Sequence, residues 1–393
     1  MQKTRLNFLT MAALIAFGVI SHVHAGAAEE VGLKLEAGEN AGKKTRLDKL
    51  FDPEDGCLDV SQFLDDPFGF IPVVIPITEP AVGAGAALAL VFINENEKTS
   101  EGRGVKPNIT AVGGFGTENG TEGYFGMHSG HWLDGKLDTL VLVADATANL
   151  DFYGSGSHGL RYTLDTQILK LEALYRLGSS RSMLGLGYVY GEMDSHFKTS
   201  FLPPSVSLGN ATSTLGGVSL IYNYDSRDNM FTPNKGFMGE VMATFHEPSL
   251  GASTAYQRVD INTFYYQPVT QTLVFGVRGS AQMSFGDVPF YQRPFVQLRG
   301  VPVMRYQGEH VAFAEAELRW KVMNRVSLIG FAGAGLTSSS YNDVSWHNDV
   351  IAGGVGIRYE LARKQGLHMG VDVAFSDEDT AVYVVFGSAW LRP

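Results

Sequence analysis

Four constellations in this sequence have residue types that could do chemistry. Ser155 and Ser157 stand beside His158, and a hydroxyl next to an imidazole is the beginning of a nucleophile and its base. The stretch is Gly-rich, however, with no strand-turn-helix elbow to present the serine and no acid to orient the histidine. A membrane hydrolase is therefore a remote alternative. His128 and His131 are potential metal ligands, but three residues apart on a strand they face opposite sides. Asp52-Pro53-Glu54-Asp55-Gly56 resembles a calcium loop, yet counting back from the glycine to position one lands on Phe51 rather than an aspartate, so a turn ahead of a short helix is expected instead. Gly83-Ala84-Gly85-Ala86-Ala87 loosely matches a dinucleotide fingerprint, which would need a helix next and an acidic residue after a second strand. The residues after Ala87 alternate instead and end in a charged loop. The sequence reads as a protein that is not an enzyme and uses no cofactor or metal.

Composition narrows the class. The 393 residues include 46 glycines, 24 phenylalanines, 16 tyrosines and one cysteine, Cys57, and 45% are hydrophobic. A net charge of −11 argues against nucleic acid, because neutralising phosphates needs a basic surface. A single cysteine rules out an intrachain disulfide or a thiolate cluster. Lys3 and Arg5 precede an apolar stretch from Phe8 to Ile20 that ends at Val23-His24-Ala25, the form of a secretory signal peptide over residues 1–25. Residues 26–67 form a polar, acidic lead. Later apolar runs, Ile71 to Ile77 and Ala81 to Ile93, are too short for a spanning helix, which needs about 20 residues.

From residue 68 onward the hydrophobic period is two. Leu169, Leu171, Ala173, Tyr175 and Leu177 alternate with Lys170, Glu172 and Arg176, and Ala314, Ala316, Leu318, Trp320 and Val322 with Glu315, Glu317, Arg319 and Lys321. Alternating segments run over 81–93, 108–116, 122–132, 138–152, 162–177, 183–197, 212–224, 236–247, 255–267, 273–285, 311–321, 326–337, 350–361, 367–376 and 381–390. They exceed the usual soluble strand of about five or six residues. Aromatics near their ends, at Phe152, Tyr175, Tyr188, Tyr190, Tyr222, Tyr224, Tyr265, Trp320 and Trp390, suit the girdles of a transmembrane barrel. Charges of both signs on the alternate face suit a wet, polar lumen. An even strand count is the rule for bacterial barrels, so 68–77, a proline-interrupted run, is expected to be the sixteenth strand and to close against 381–390. The expected fold is an all-β, antiparallel transmembrane barrel over 68–393, in the outer membrane of a Gram-negative cell.

Two segments go beyond generic patterning. One is Tyr224-Asp225-Ser226-Arg227-Asp228-Asn229, with Pro233 and Gly236 after it. The other is the link 286–310, which holds Leu298-Arg299-Gly300-Val301 and precedes the Glu315/Glu317 strand. Together they resemble the BamA/TamA outer-membrane surface-antigen superfamily. The resemblance implies sixteen strands, a periplasmic turn at 224–236, a late loop folded into the lumen with Arg299 and Gly300 at its tip, and Trp390 as the aromatic end of the last strand. A glycine at the tip lets the backbone turn where a side chain would clash. A forked guanidinium suits carboxylates in a lumen, and alternation points Glu315, Glu317 and Asp372 inward as its partners.

Two departures from the family qualify its function. The lead is too short for a periplasmic POTRA domain. The strand expected to carry Phe-x-Asp-x-Gly reads Phe331-Ala332-Gly333-Ala334-Gly335. The resemblance implies a barrel that assists insertion or translocation of a protein or lipid substrate through a weak seam between 68–77 and 381–390. A passive channel or structural barrel is the alternative. Outer-membrane lipid, lipopolysaccharide, a protein client or periplasmic partner and a second copy of the chain stay open as partners.

Overall fold

A computed structural model describes residues 50–62, 70–79, 81–94, 108–152, 160–197, 211–289, 292–338, 347–377 and 379–391. The signal-peptide segment, the start of the lead and Ser155, Ser157 and His158 lie outside them. The strands are β1 (Ile71–Ile77), β2 (Gly85–Asn94), β3 (Asn108–Thr117), β4 (Glu122–Trp132), β5 (Leu137–Phe152), β6 (Leu160–Arg176), β7 (Ser182–Phe197), β8 (Ala211–Asp225), β9 (Gly236–His246), β10 (Tyr256–Pro268), β11 (Leu273–Gly286), β12 (His310–Lys321), β13 (Val326–Ser338), β14 (His347–Ala362), β15 (Leu367–Ser376) and β16 (Thr380–Phe386). Each pairs antiparallel with its sequence neighbours in one sixteen-stranded sheet, in the order β1 to β16. Single-turn helices lie at Pro248–Leu250 and Ala389–Leu391.

Alternation decides which residues meet which medium. Val74, Leu88, Val112, Tyr124, Val143, Leu186, Leu220, Leu318, Ile351 and Val382 are exposed on the outer wall. Their neighbours in sequence point inward. Glu315, Glu317, Arg319, Arg358 and Asp372 are buried, the reverse of a water-soluble protein and the pattern of a barrel whose outside is apolar.

The lumen is not uniformly polar, as alternation alone had suggested. On the β1–β7 side the inward face is itself apolar. Ile71, Ala89, Val91, Ile109, Phe125, Met127, Leu140 and Leu142 form one buried cluster. Ile77, Phe115, Leu150, Tyr162, Leu164 and Met193 form another, which takes in Phe295 and Met304 from the loop after β11. Alternation shows that a strand has two faces, but where both are apolar it cannot say which faces lipid. The larger charged clusters of the lumen lie on the later strands, while on β6 Lys170 pairs with Glu172 at 2.7 Å on the inward face.

Two strand boundaries differ from expectation by four residues each, the largest differences among the strands. The segment expected at 81–93 begins at Gly85, because Val82 and Gly83 donate to the carbonyl of Glu79 in a tight turn. The last strand, expected to reach 390, stops at Phe386 opposite Met369. Gly387 has a φ of 71°, and beyond it the chain turns inward rather than continuing the wall.

β1 and β16 are each seven residues long, the shortest strands described. They stand at the two ends of the strand order and approach each other, but no ladder joins them among the described residues. Pro72 and Pro76 within β1 lack the N–H groups that a ladder needs. The barrel therefore has a seam.

Candidate functional site

The segment between β11 and β12 does not stand away from the barrel. Phe295 bridges Gln307, Val296 donates to the carbonyl of Tyr306 at 2.9 Å, and Arg278 from β11 donates to the carbonyl of Gln297. Val296, Leu298 and Val301 pack on Val311, Phe313, Val350 and Ala352 of the inner wall. These contacts carry Arg299 deep into the lumen, where its side chain is 4% exposed.

There the guanidinium meets three carboxylates. Its Nε and Nη2 donate to Oε1 of Glu315 at 3.0 and 2.6 Å. Nη2 also donates to Oε2 of Glu317 at 2.8 Å, and Nη1 to Oδ2 of Asp372 at 2.7 Å. The Phe331 ring lies beneath the cation, 3.5 Å from Cζ to the centroid. Gly300 has a φ of 89°, a conformation that disfavours any side chain. Its N–H donates to the hydroxyl of Tyr383 at 3.0 Å, and its carbonyl accepts from Ser376 Oγ at 2.6 Å. The tip is thus held by β12, β13, β15 and β16 at once.

Several participants were not singled out in the sequence. Arg358 forks onto Asp372, with Nη2 donating to Oδ2 at 2.8 Å. It compensates the second charge that Arg299 alone would leave. Its inward parity on β14 was readable, but its pairing across the wall was not. Trp390 is neither in a strand nor on a membrane edge: it is 3% exposed inside the lumen, and its Nε1 donates to Oε1 of Glu315 at 2.5 Å. The expected girdle role for Trp390 is corrected accordingly. Of the other girdle residues, Tyr175, Tyr222, Tyr265 and Trp320 are exposed on the outer wall.

At the barrel end where β1 begins and β16 ends, the link 226–235 folds on itself. Asp225 accepts from Arg227 Nε at 3.0 Å and Nη2 at 2.8 Å. Asp228 Oδ1 accepts from the N–H groups of Asn234 and Lys235, and Gly236 takes a φ of 115°. The Tyr224 ring lies 6.2 Å from that of Phe237. Pro233 offers its carbonyl to Arg319 at 2.8 Å, while Asn229 donates to the carbonyl of Gln365 at 2.9 Å. The turn is therefore tied to the charged wall near the Arg299 site.

The same end carries a second cluster. Arg325, in the β12–β13 turn, is 2% exposed at its side chain and paired with Asp52, Asp55 and Asp59 of the lead. Arg363, in the β14–β15 turn, pairs with Asp52, Glu54 and Asp55. Val60 donates to the carbonyl of Leu361 at 2.9 Å. The Asp52–Gly56 stretch that resembled a calcium loop instead grips two arginines. The bond from Arg325 holds the Asp55 carboxyl well below the usual range. At Asp59 burial opposes ionisation, but bonds from Ser61 and Arg325 outweigh it and the carboxyl is also lowered.

The remaining candidates do not converge. His128 is held by Thr110 at 2.9 Å on the outer face, and His131 is buried on the inner one. Among the described residues no group of histidines, cysteines or carboxylates could hold a metal ion. Gly85 opens a strand rather than a helix.

The sequence matches a model of the Omp85 superfamily domain over residues 115–298, from the end of β3 to the residue before Arg299. No curated protein matches it significantly. Among solved structures, it is similar to a Haemophilus ducreyi BamA lacking POTRA domains 1–3. The TM-score is 0.58 at 11% identity, over 82% of this chain and 70% of that one. CdiB from Escherichia coli aligns with a TM-score of 0.58 at 14% identity, over 80% of this chain and 62% of that one. CdiB from Acinetobacter baumannii aligns with a TM-score of 0.55 at 9% identity, over 81% and 59%. The chain thus spans about six-tenths of the CdiB chains it resembles, and at these identities the likeness is one of fold.

Proposed function

We propose, for a chain that carries an Omp85 superfamily domain in a sixteen-stranded barrel of the BamA kind, that it sits in a bacterial outer membrane and helps a protein or lipid substrate to insert or cross there. Residues 1–25 serve as its export signal and 26–67 as a periplasmic lead. The end bearing the 226–235 turn and the lead faces the periplasm, and the β11–β12 loop enters the lumen from outside.

The observation that carries this reading is the seam. Fourteen interior strands are laddered on both sides, whereas β1 and β16 are short and unladdered to each other. An unpaired strand edge is a template for another chain, and in a membrane its backbone groups demand partners. A client strand can satisfy them by adding to β1. Arg299 serves as the lock that keeps the loop inside the lumen while the wall parts, with Glu315, Glu317 and Asp372 as its partners. No step breaks a covalent bond, so the role is non-enzymatic.

Photocrosslinkers placed at Val74 and Val382, both exposed on the outer face of the seam strands, test the reading in cells. Protein adducts are expected at these two positions and not at Leu220 on the far wall, which is exposed to a similar degree. Adducts with lipopolysaccharide alone, and no client, would contradict insertion of proteins.

A further inference from the structure

The last residues of the chain have two places to go. Their alternation continues that of β16, with Val382, Val384, Phe386, Ser388 and Trp390 on one side, so an extended tail would set Trp390 on the lipid face. The structure has them inside instead. Gly387 donates to the carbonyl of His368 at 2.7 Å and Ser388 to that of Phe231 at 2.5 Å. Ser388 Oγ lies 3.1 Å from the Tyr266 hydroxyl. The Trp390 ring packs on Tyr266 and Phe264, with centroids 5.5 and 6.4 Å away. The wall beneath is hollowed to receive it, since a Cβ at Gly276 would stand 2.9 Å from the ring.

One atom joins this turn to the loop tip. Oε1 of Glu315 accepts from Trp390 Nε1 and from both Nε and Nη2 of Arg299. A carboxylate held by a forked cation is fixed in position, and that fixed oxygen is the partner of the indole N–H.

We propose that Trp390 is a positioning residue that couples the loop lock to the seam. By bonding the carboxylate that Arg299 orients, it keeps residues 387–391 in the lumen and β16 seven residues long. Release of the tip frees the indole, and the tail then extends beside β1. The inference rests on the seam reading above, but its test needs no client, so a failure of one is distinguishable from a failure of the other.

Two cysteine pairs separate the two states in purified protein carrying Cys57→Ser. Phe231→Cys with Ser388→Cys reports the inward turn. Ser388→Cys with Phe70→Cys or Pro72→Cys reports the extended strand. The unaltered lock is expected to give the inward disulfide. Trp390→Phe keeps the ring but not the donor, and Arg299→Gln removes the cation that fixes Glu315. Each should lower the ratio of inward to extended disulfide about tenfold, the factor for losing one hydrogen bond to a charged group. Gly276→Ala, which leaves every charge in place, should do the same by crowding the ring and covers the case in which a charge variant fails to fold. An undiminished inward disulfide in Trp390→Phe or in a folded Arg299→Gln overturns the coupling. So does an undiminished inward disulfide in Gly276→Ala.

Discussion

Arg299 neutralises carboxylates that have no water to turn to, so removing it should harm the barrel more than deleting a surface ion pair would. Breaking one member of a buried ionic network typically costs about 3–5 kcal/mol, because Glu315 and Glu317 would lose the cation they bond directly, while Asp372 would keep Arg358. Arg299→Ala is expected to lower the thermal unfolding temperature and to expose the 287–309 loop to protease; unchanged values for both would show that the loop is not locked. Phe331→Leu removes only the ring beneath the cation and should weaken the lock by about 0.5–2 kcal/mol. Arg299 and its neighbour Gly300 were singled out by the family resemblance of their segment, and the inward parity of the three carboxylates was legible from alternation. The Trp390 bond to Glu315 was not, since it links positions 75 apart and depends on a turn at Gly387 that interrupts an otherwise continuous alternation.

Among the elements, the lead and its two arginine-bearing turns make the most specific forecast. Asp55 and Asp59 have carboxyls lowered in the folded state relative to the unfolded one. Docking of the lead is therefore fully stabilised above the ordinary carboxylate value of about 4 and is lost as pH falls through the lowered values. Asp52, Glu54 and Glu360, the guanidinium of Arg363 and the phenol of Tyr359 face the same cluster. Hydrogen exchange across 50–62, taken as protection relative to the unstructured chain at the same pH, should be strong and nearly constant from about pH 5 to 8 and weaken below about pH 4. Arg325→Gln should weaken that protection at neutral pH. Protection that ignores both changes would show that the lead is held otherwise. This cluster was hidden in the sequence because some of its partners, such as Glu54 and Arg363, lie 309 residues apart, and no local period reports such pairing. The strands themselves were readable from alternation, and their ends were misjudged where Glu79 and Gly387 impose turns.

For the whole molecule, the apolar packing on the β1–β7 side and the loop locked against the charged side fill the lumen from opposite walls. The acidic balance and the exposed apolar belt suit an outer-membrane barrel, but composition alone could not separate a pore from a plugged barrel. That distinction rests on where residues 287–309 go, and the central claim is that they close the lumen and leave the seam as the working part. Single-molecule conductance of the purified protein in planar bilayers tests this most directly. The account predicts low, short-lived conductance that becomes larger and sustained in Arg299→Ala. A stable, large conductance from the unaltered protein would contradict it and make the barrel a channel.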